Sequence, residues 1–238
     1  MNTDKRLTEF IDKLKTAAGD NLKSVVLYGS AVTGEFHKDY SDVNLLSVLA
    51  RLDAATLRAL NPAIASWTKQ GQPPPMLFSQ DELARSADVF AIELIDMKAA
   101  RRVLYGEDPL AELEVPLHLH RLQVERELRT HVVRLREGYV AAPADGKRLL
   151  ALLTASVSSF ATLFRHALLA LGGQPPQHKH EAIGQLAREL GFDAAPFHTV
   201  LELREGKRKA GGVDLHALFG NYLAGVMRVA DEVDRRTA

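Results

Sequence analysis

Two hydrophobic rhythms divide the chain. Up to about residue 113, short β-prone runs alternate with stretches of helical period. Ser24 to Tyr28 (SVVLY), Val43 to Val48 (VNLLSV), Met76 to Ser79 (MLFS) and Phe90 to Ile95 (FAIELI) read as strands. Lys5 to Ala18, Ala54 to Lys69 and Gln80 to Ser86 read as helices between them. Such alternation predicts an α/β layer with a mixed sheet. Beyond residue 113 the strand pattern stops. Leucine and valine recur at helical spacing from Leu117 to Val140, and a long apolar helix from Gly146 to Leu171 ends at Gly172-Gly173, before Pro175-Pro176. His180 to Leu190, Ala195 to Glu205 and Asp214 to Arg236 complete a bundle of about five helices. The expectation is therefore an α+β chain, with a mixed-sheet domain over residues 1–113 and an all-α bundle over 114–238.

Composition narrows the partners. The apolar share is 46% and the charged share 25%, the balance of a folded protein rather than a disordered tail. Thirty Lys and Arg cancel thirty Asp and Glu, so no global field draws the chain to nucleic acid or an anionic membrane. The absence of cysteine removes disulfides, thiolate metal sites and cysteine nucleophiles, and fits a reducing compartment. The N-terminal MNTDKRLTEF lacks the apolar core of a secretory leader. The longest uncharged run, Leu149 to Phe164, is shorter than the ~20 residues a bilayer needs and carries Thr154, Ser156, Ser158 and Ser159. A cytoplasmic protein with no membrane partner is expected, and a homo-oligomer is compatible with this composition.

The chemistry concentrates in Leu27 to Val48, LYGSAVTGEFHKDYSDVNLLSV. A strand runs straight into Gly29-Ser30, where glycine lets the backbone turn sharply and approach a ligand. The N–H groups of a following helix and the Ser30 hydroxyl suit an anion. Eleven residues separate Ser30 from Asp42, which opens the next strand. Asp42 and Asn44 are two apart and share one face of it. A turn for phosphates beside paired oxygen ligands for a cation is what a nucleotide–Mg²⁺ site requires.

This segment resembles the signature of the nucleotidyltransferase superfamily that includes DNA polymerase beta: a hydrophobic residue, Gly-Ser, a spacer, then Asp, a hydrophobic residue and a second acid. Gly29-Ser30-Ala31-Val32-x-Gly34 with Ser41-Asp42-Val43 is most similar to the aminoglycoside adenylyltransferases acting on streptomycin and spectinomycin. Bacterial members add a C-terminal helical bundle, which the second half fits. The resemblance implies an NTP with Mg²⁺ as ligands, Gly29 and Ser30 at the nucleotide, and Asp42 and Asn44 at the metal. A nucleoside monophosphate would pass to a hydroxyl of an aminoglycoside-like or other acceptor, in a cleft between sheet and bundle. The family's third carboxylate comes from a later strand. Alternation in Phe90 to Asp96 sends Ile92 and Leu94 to the core and Glu93 the other way, so Glu93 is the expected base, with Asp96 its competitor. One position departs from the pattern. Asn44 replaces the second acid and offers a carbonyl oxygen without negative charge. That departure supports a rival expectation, a catalytically degenerate nucleotide-binding or regulatory protein.

Other features read blandly. His118-x-His120 and His178-x-His180 lack further ligand partners in sequence and read as surface histidines. Arg126-x4-His131 resembles the Arg-x4–6-His element of HEPN ribonucleases but lies early in its helical segment. Arg204 to Lys209, REGKRK, reads as a solvated helix end, and Trp67 as core.

Overall fold

The computed structural model describes residues 3–34, 42–142 and 146–235. They divide into two compact units, one ending at Leu117 and one beginning at His118. In the first unit the described elements are α1 (Thr3–Ala18), a 3-10 turn (Gly19–Asn21), β1 (Leu22–Tyr28), α2 (Ser30–Thr33), β2 (Asn44–Leu49), α3 (Ala54–Thr68), β3 (Met76–Ser79), α4 (Gln80–Arg85), α5 (Ala91–Ala99) and β4 (Arg101–Gly106). The sheet order is β3-β2-β1-β4. β1 is antiparallel to β2 and β4, and β2 is parallel to β3, so the sheet is mixed.

Alternation along β1 and β2 builds two cores. Val25, Leu27, Leu45 and Leu49 face α1 and α3, where they meet Leu7, Phe10, Leu14, Leu60 and Trp67. Val26, Leu46 and Val48 face the other way and meet Phe78, Leu83, Leu94 and Met97, which places α4 and α5 on that second face. Local capping sets where the helices begin. The Asp53 carboxylate accepts from Thr56 N–H at 2.7 Å at the start of α3. Ser79 and Glu82 form a reciprocal capping box at the start of α4.

One element differs from the sequence reading. Phe90 to Ile95 does not form a strand but leads into helix α5. Ile92 and Leu94 do alternate, yet Ala91, Leu94 and Met97 also recur every three residues and are all buried, which is a helical period. Ala, Glu, Leu, Met and Lys favour that choice. The fourth strand is Arg101–Gly106. It is an edge strand, so Arg102 and Val103 stay exposed and the apolar alternation that marks a buried strand is missing.

The second unit contains α6 (His120–Val140), α7 (Gly146–Ala170), α8 (Lys179–Leu190), α9 (Ala195–Arg204) and α10 (Leu215–Arg235). Among the described residues, α7 alone is long and apolar enough to cross a membrane by length and composition. It packs instead against α6, α8, α9 and α10. Its Phe160 and Phe164 join Phe197 and Tyr222 in an aromatic cluster. Two of its hydroxyls have partners: Thr154 donates to Leu150 C=O at 2.8 Å, and the Ser156 hydroxyl lies 3.0 Å from the Tyr222 hydroxyl.

Trp67 is core, as its neighbours suggested. Its ring stacks on Phe10 at 4.7 Å and its indole N–H donates to Pro73 C=O at 2.9 Å. Trp67→Ala should cost about 3–5 kcal/mol, read as a lower urea midpoint at unchanged m-value. Trp67→Phe should cost less, because it keeps the stack and loses the hydrogen bond.

Candidate active site

The site is built where β1 ends. Gly29 has φ 78° and ψ −149°, a conformation that side chains other than glycine's disfavour. Its N–H donates to Ala100 C=O at 3.2 Å, which ties the turn to the start of β4. Its C=O accepts from Val32 N–H at 2.9 Å and from Thr33 N–H at 3.2 Å. Ser30 and Ala31 therefore precede the first hydrogen bond of this short turn, and their N–H groups have no intrahelical partner.

Register places three side chains in one row across the sheet. Asn44 of β2 and Arg101 of β4 both lie directly opposite Tyr28 of β1. Opposed residues share a face, and this one is the α5 face. Arg101 is occupied by its neighbours: Nε bonds the Asp108 carboxylate at 2.9 Å and the guanidinium also donates to Lys98 C=O. Asn44 turns its amide toward the turn, and a Cβ on Gly29 would meet Asn44 Nδ2 at 3.4 Å.

Asp42 lies two residues before β2 rather than opening it. Val43 is buried in the same core as Leu45, so the alternation extends back and sets the exposed Asp42 on the side of Asn44. Glu93 is corrected more substantially. It sits in the first turn of α5, not on a strand, and its side chain is exposed. Among the described residues, none of the four strands carries an acid. Glu93 still belongs to the α5 face, because α5 packs there through Leu94 and Met97. It acts on Tyr28: burial first, and then the Glu93 charge, raise the phenol above its ordinary value. Tyr28 and Arg101 were not singled out in the sequence. Tyr28's place directly before Gly-Ser was the available clue.

The donor chemistry suits one cation that arrives with phosphates. Asp42 supplies one carboxylate and Asn44 one neutral carbonyl oxygen, and Mg²⁺ is commonly held by one or two carboxylates together with substrate phosphates. Among the described residues no group of three or more His, Asp or Glu is gathered to hold a metal alone.

The remaining sequence features resolve structurally. His120 is buried rather than superficial, with Nε2 2.9 Å from His166 Nδ1. His180 is partly exposed and bonds His198. His131 Nδ1 contacts Glu127 C=O at 3.0 Å, and five residues along α6 turn it about 140° away from Arg126, which is unlike a paired catalytic arrangement. In the basic loop, Lys207 meets Glu205 and Arg208 meets Glu202, as expected of a structural helix end.

No family model matches the sequence, and no curated protein does. Solved structures do match. The spectinomycin adenyltransferase AAD(9) from Enterococcus faecialis, solved with ATP and spectinomycin, aligns with a TM-score of 0.64 at 16% identity, over 96% of this chain and 99% of that one. A toxin-antitoxin structure with AMP-PNP matches at a TM-score of 0.33 and 20% identity, over 53% of this chain and 97% of its own. The chain has the nucleotidyltransferase fold and resembles the aminoglycoside adenylyltransferases in it.

Gly29→Ala should cost about 1–3 kcal/mol of stability through backbone strain, measurable by denaturant titration. Glu93→Gln should bring the Tyr28 phenol part of the way back toward its ordinary value, with the burial contribution remaining. The absorbance titration of each form, taken as a difference from its Tyr28→Phe counterpart, reads this.

Proposed function

We propose that the protein is a nucleotidyltransferase: it binds Mg-NTP beside the Gly29-Ser30 turn and passes a nucleoside monophosphate to a hydroxyl of a small, aminoglycoside-like acceptor. The observation that carries this reading is the meeting of the Gly29 turn, Asn44 and the Glu93-bearing helix at one end of one sheet face. The likeness to a structure solved with ATP and spectinomycin supports it.

Each residue has a defined part. The Ser30 hydroxyl and the N–H groups of Ser30 and Ala31 donate to phosphate oxygens. Asp42 and Asn44 would hold the cation, which when bound neutralises charge on the phosphates. Glu93 accepts the proton of the acceptor hydroxyl. The acceptor oxygen forms a bond to the α-phosphorus, the bond from that phosphorus to the β-phosphate oxygen breaks, and pyrophosphate leaves. Such a transfer depends mainly on positioning and charge neutralisation, so few residues suffice. The rival, a nucleotide-binding protein without transfer, rests on the missing charge at Asn44.

Calorimetry with ATP, CTP, GTP and UTP, with and without Mg²⁺, should show Mg²⁺-dependent binding of at least one nucleotide. Ser30→Ala should weaken it by about 0.5–1.5 kcal/mol. Asn44→Asp should tighten the Mg²⁺-dependent part and raise pyrophosphate release with streptomycin or spectinomycin. It should also make the melting temperature more responsive to Mg²⁺ and NTP. Absence of nucleotide binding overturns the proposal. Binding without pyrophosphate release in both forms moves the assignment to the rival.

A further inference from the structure

The segment carrying Asp42 and Asn44 begins before its strand neighbours do. β2 pairs with β1 from Asn44, opposite Tyr28, and with β3 only from Leu46, opposite Met76. Asp42 and Val43 precede both pairings. The Val43 side chain is buried in the core, so its own N–H needs a partner. It has one: this N–H donates to Gln72 Oε1 at 2.9 Å, a partly buried bond across 29 positions. A backbone N–H only donates, and in an amide side chain only the oxygen accepts. The partner itself therefore fixes which end of the Gln72 amide faces Val43. Gln72 lies in the loop between α3 and β3. The chain leading into β3 thus supplies, through a side chain, an acceptor that a longer strand would supply through its backbone.

That loop is tied on both sides of Gln72. Gly71 has φ 79°, and its N–H donates to Thr68 C=O at 2.9 Å. Pro73 C=O accepts from the Trp67 indole N–H at 2.9 Å. As a proline, Pro73 also biases Gln72 toward extended backbone. Arg6 of α1 donates to Gln70 at both Oε1, at 2.8 Å, and C=O, at 3.2 Å. The core formed by α1 and α3 therefore sets where Gln72 stands, and Gln72 passes that position to Val43.

We propose that Gln72 is a positioning residue for the cation ligands: its amide oxygen, bonded to the N–H between Asp42 and Asn44, holds Asp42 at the spacing from Asn44 that one shared cation needs. This rests on the nucleotidyltransferase reading, in which Gln72 acts through Val43 rather than on cation or nucleotide. Pairing with Tyr28 already secures Asn44, so the bond at Val43 matters most for Asp42. A ligand held in place beforehand loses less freedom when the cation arrives. The Gly29-Ser30 turn follows another strand and does not depend on that bond. Loss of the Gln72 acceptor should therefore weaken the Mg²⁺-dependent part of nucleotide affinity and leave the Mg²⁺-free part alone.

The test uses the full chain and two variants. Gln72→Met keeps the length of the side chain and removes the acceptor, whereas Gln72→Glu keeps an acceptor oxygen. Calorimetry with ATP, CTP, GTP and UTP gives each form's ratio of affinities with and without Mg²⁺. In Gln72→Met that ratio should fall about three- to tenfold, the equivalent of one hydrogen bond, at unchanged Mg²⁺-free affinity. Gln72→Glu should keep the native ratio or exceed it. Hydrogen exchange at the Val43 amide should be slow in the native chain and in Gln72→Glu, and faster in Gln72→Met. Should Gln72→Met fail to fold, the native chain and Gln72→Glu decide. A Val43 amide that exchanges at open-loop rates in the native chain, or a lowered ratio in Gln72→Glu, then overturns the role. An unchanged ratio in Gln72→Met, or an equal loss of affinity with and without Mg²⁺, overturns the positioning role alone. Absence of Mg²⁺-dependent binding in the native chain overturns the nucleotidyltransferase reading and this role with it.

Discussion

The first unit depends on β1 being covered on all sides. It has a hydrogen-bonded neighbour on each edge and an apolar layer on each face, with Val25 and Val26 fully buried. Such a strand cannot slip, because a shift of one residue would exchange Val26 with Leu27 and turn both cores inside out. Its last residue, Tyr28, is consequently fixed. Only glycine continues easily from there at φ 78°, and the bond from Gly29 N–H to Ala100 C=O anchors the turn to β4. The row Arg101–Tyr28–Asn44 is a consequence of that same register.

How much of this was legible follows from burial. β1, β2 and β3 were readable because their apolar residues form short runs between turn residues. The helices of the second half were readable from spacing and from their Gly and Pro ends. The error at Phe90 to Ile95 came from a six-residue window in which Ile92 and Leu94 satisfy either period. Met97, just outside it, completes the helical one. β4 was missed because an edge strand shows water much of its surface and hides its alternation.

Pairings across space were beyond any reading of local pattern. His120 meets His166 from 46 positions away, and His180 meets His198 from 18 away. Local spacing had suggested His118 with His120 and His178 with His180 as the pairs to weigh. Residues two apart on a helix point to nearly opposite sides, so the relevant partners had to come from other helices. Residues brought together by a turn were easier to find. Gly29 and Asn44 come together because β1 pairs with β2 at Tyr28 and Asn44.

Asn44 has a further physical consequence under the proposed function. A carboxylate at position 44, where β2 begins, would stand two residues from Asp42, and two like charges so placed oppose each other until a cation intervenes. The amide removes that repulsion, so this edge of the sheet carries no such strain without metal. It also removes attraction: one carboxylate and one neutral oxygen leave most of an octahedral Mg²⁺ shell to be filled from elsewhere. Phosphate oxygens are the natural source of the missing ligands and of the missing negative charge. Cation and nucleotide are then bound as a unit, each completing the site for the other, and the affinity for either alone is low for the same electrostatic reason.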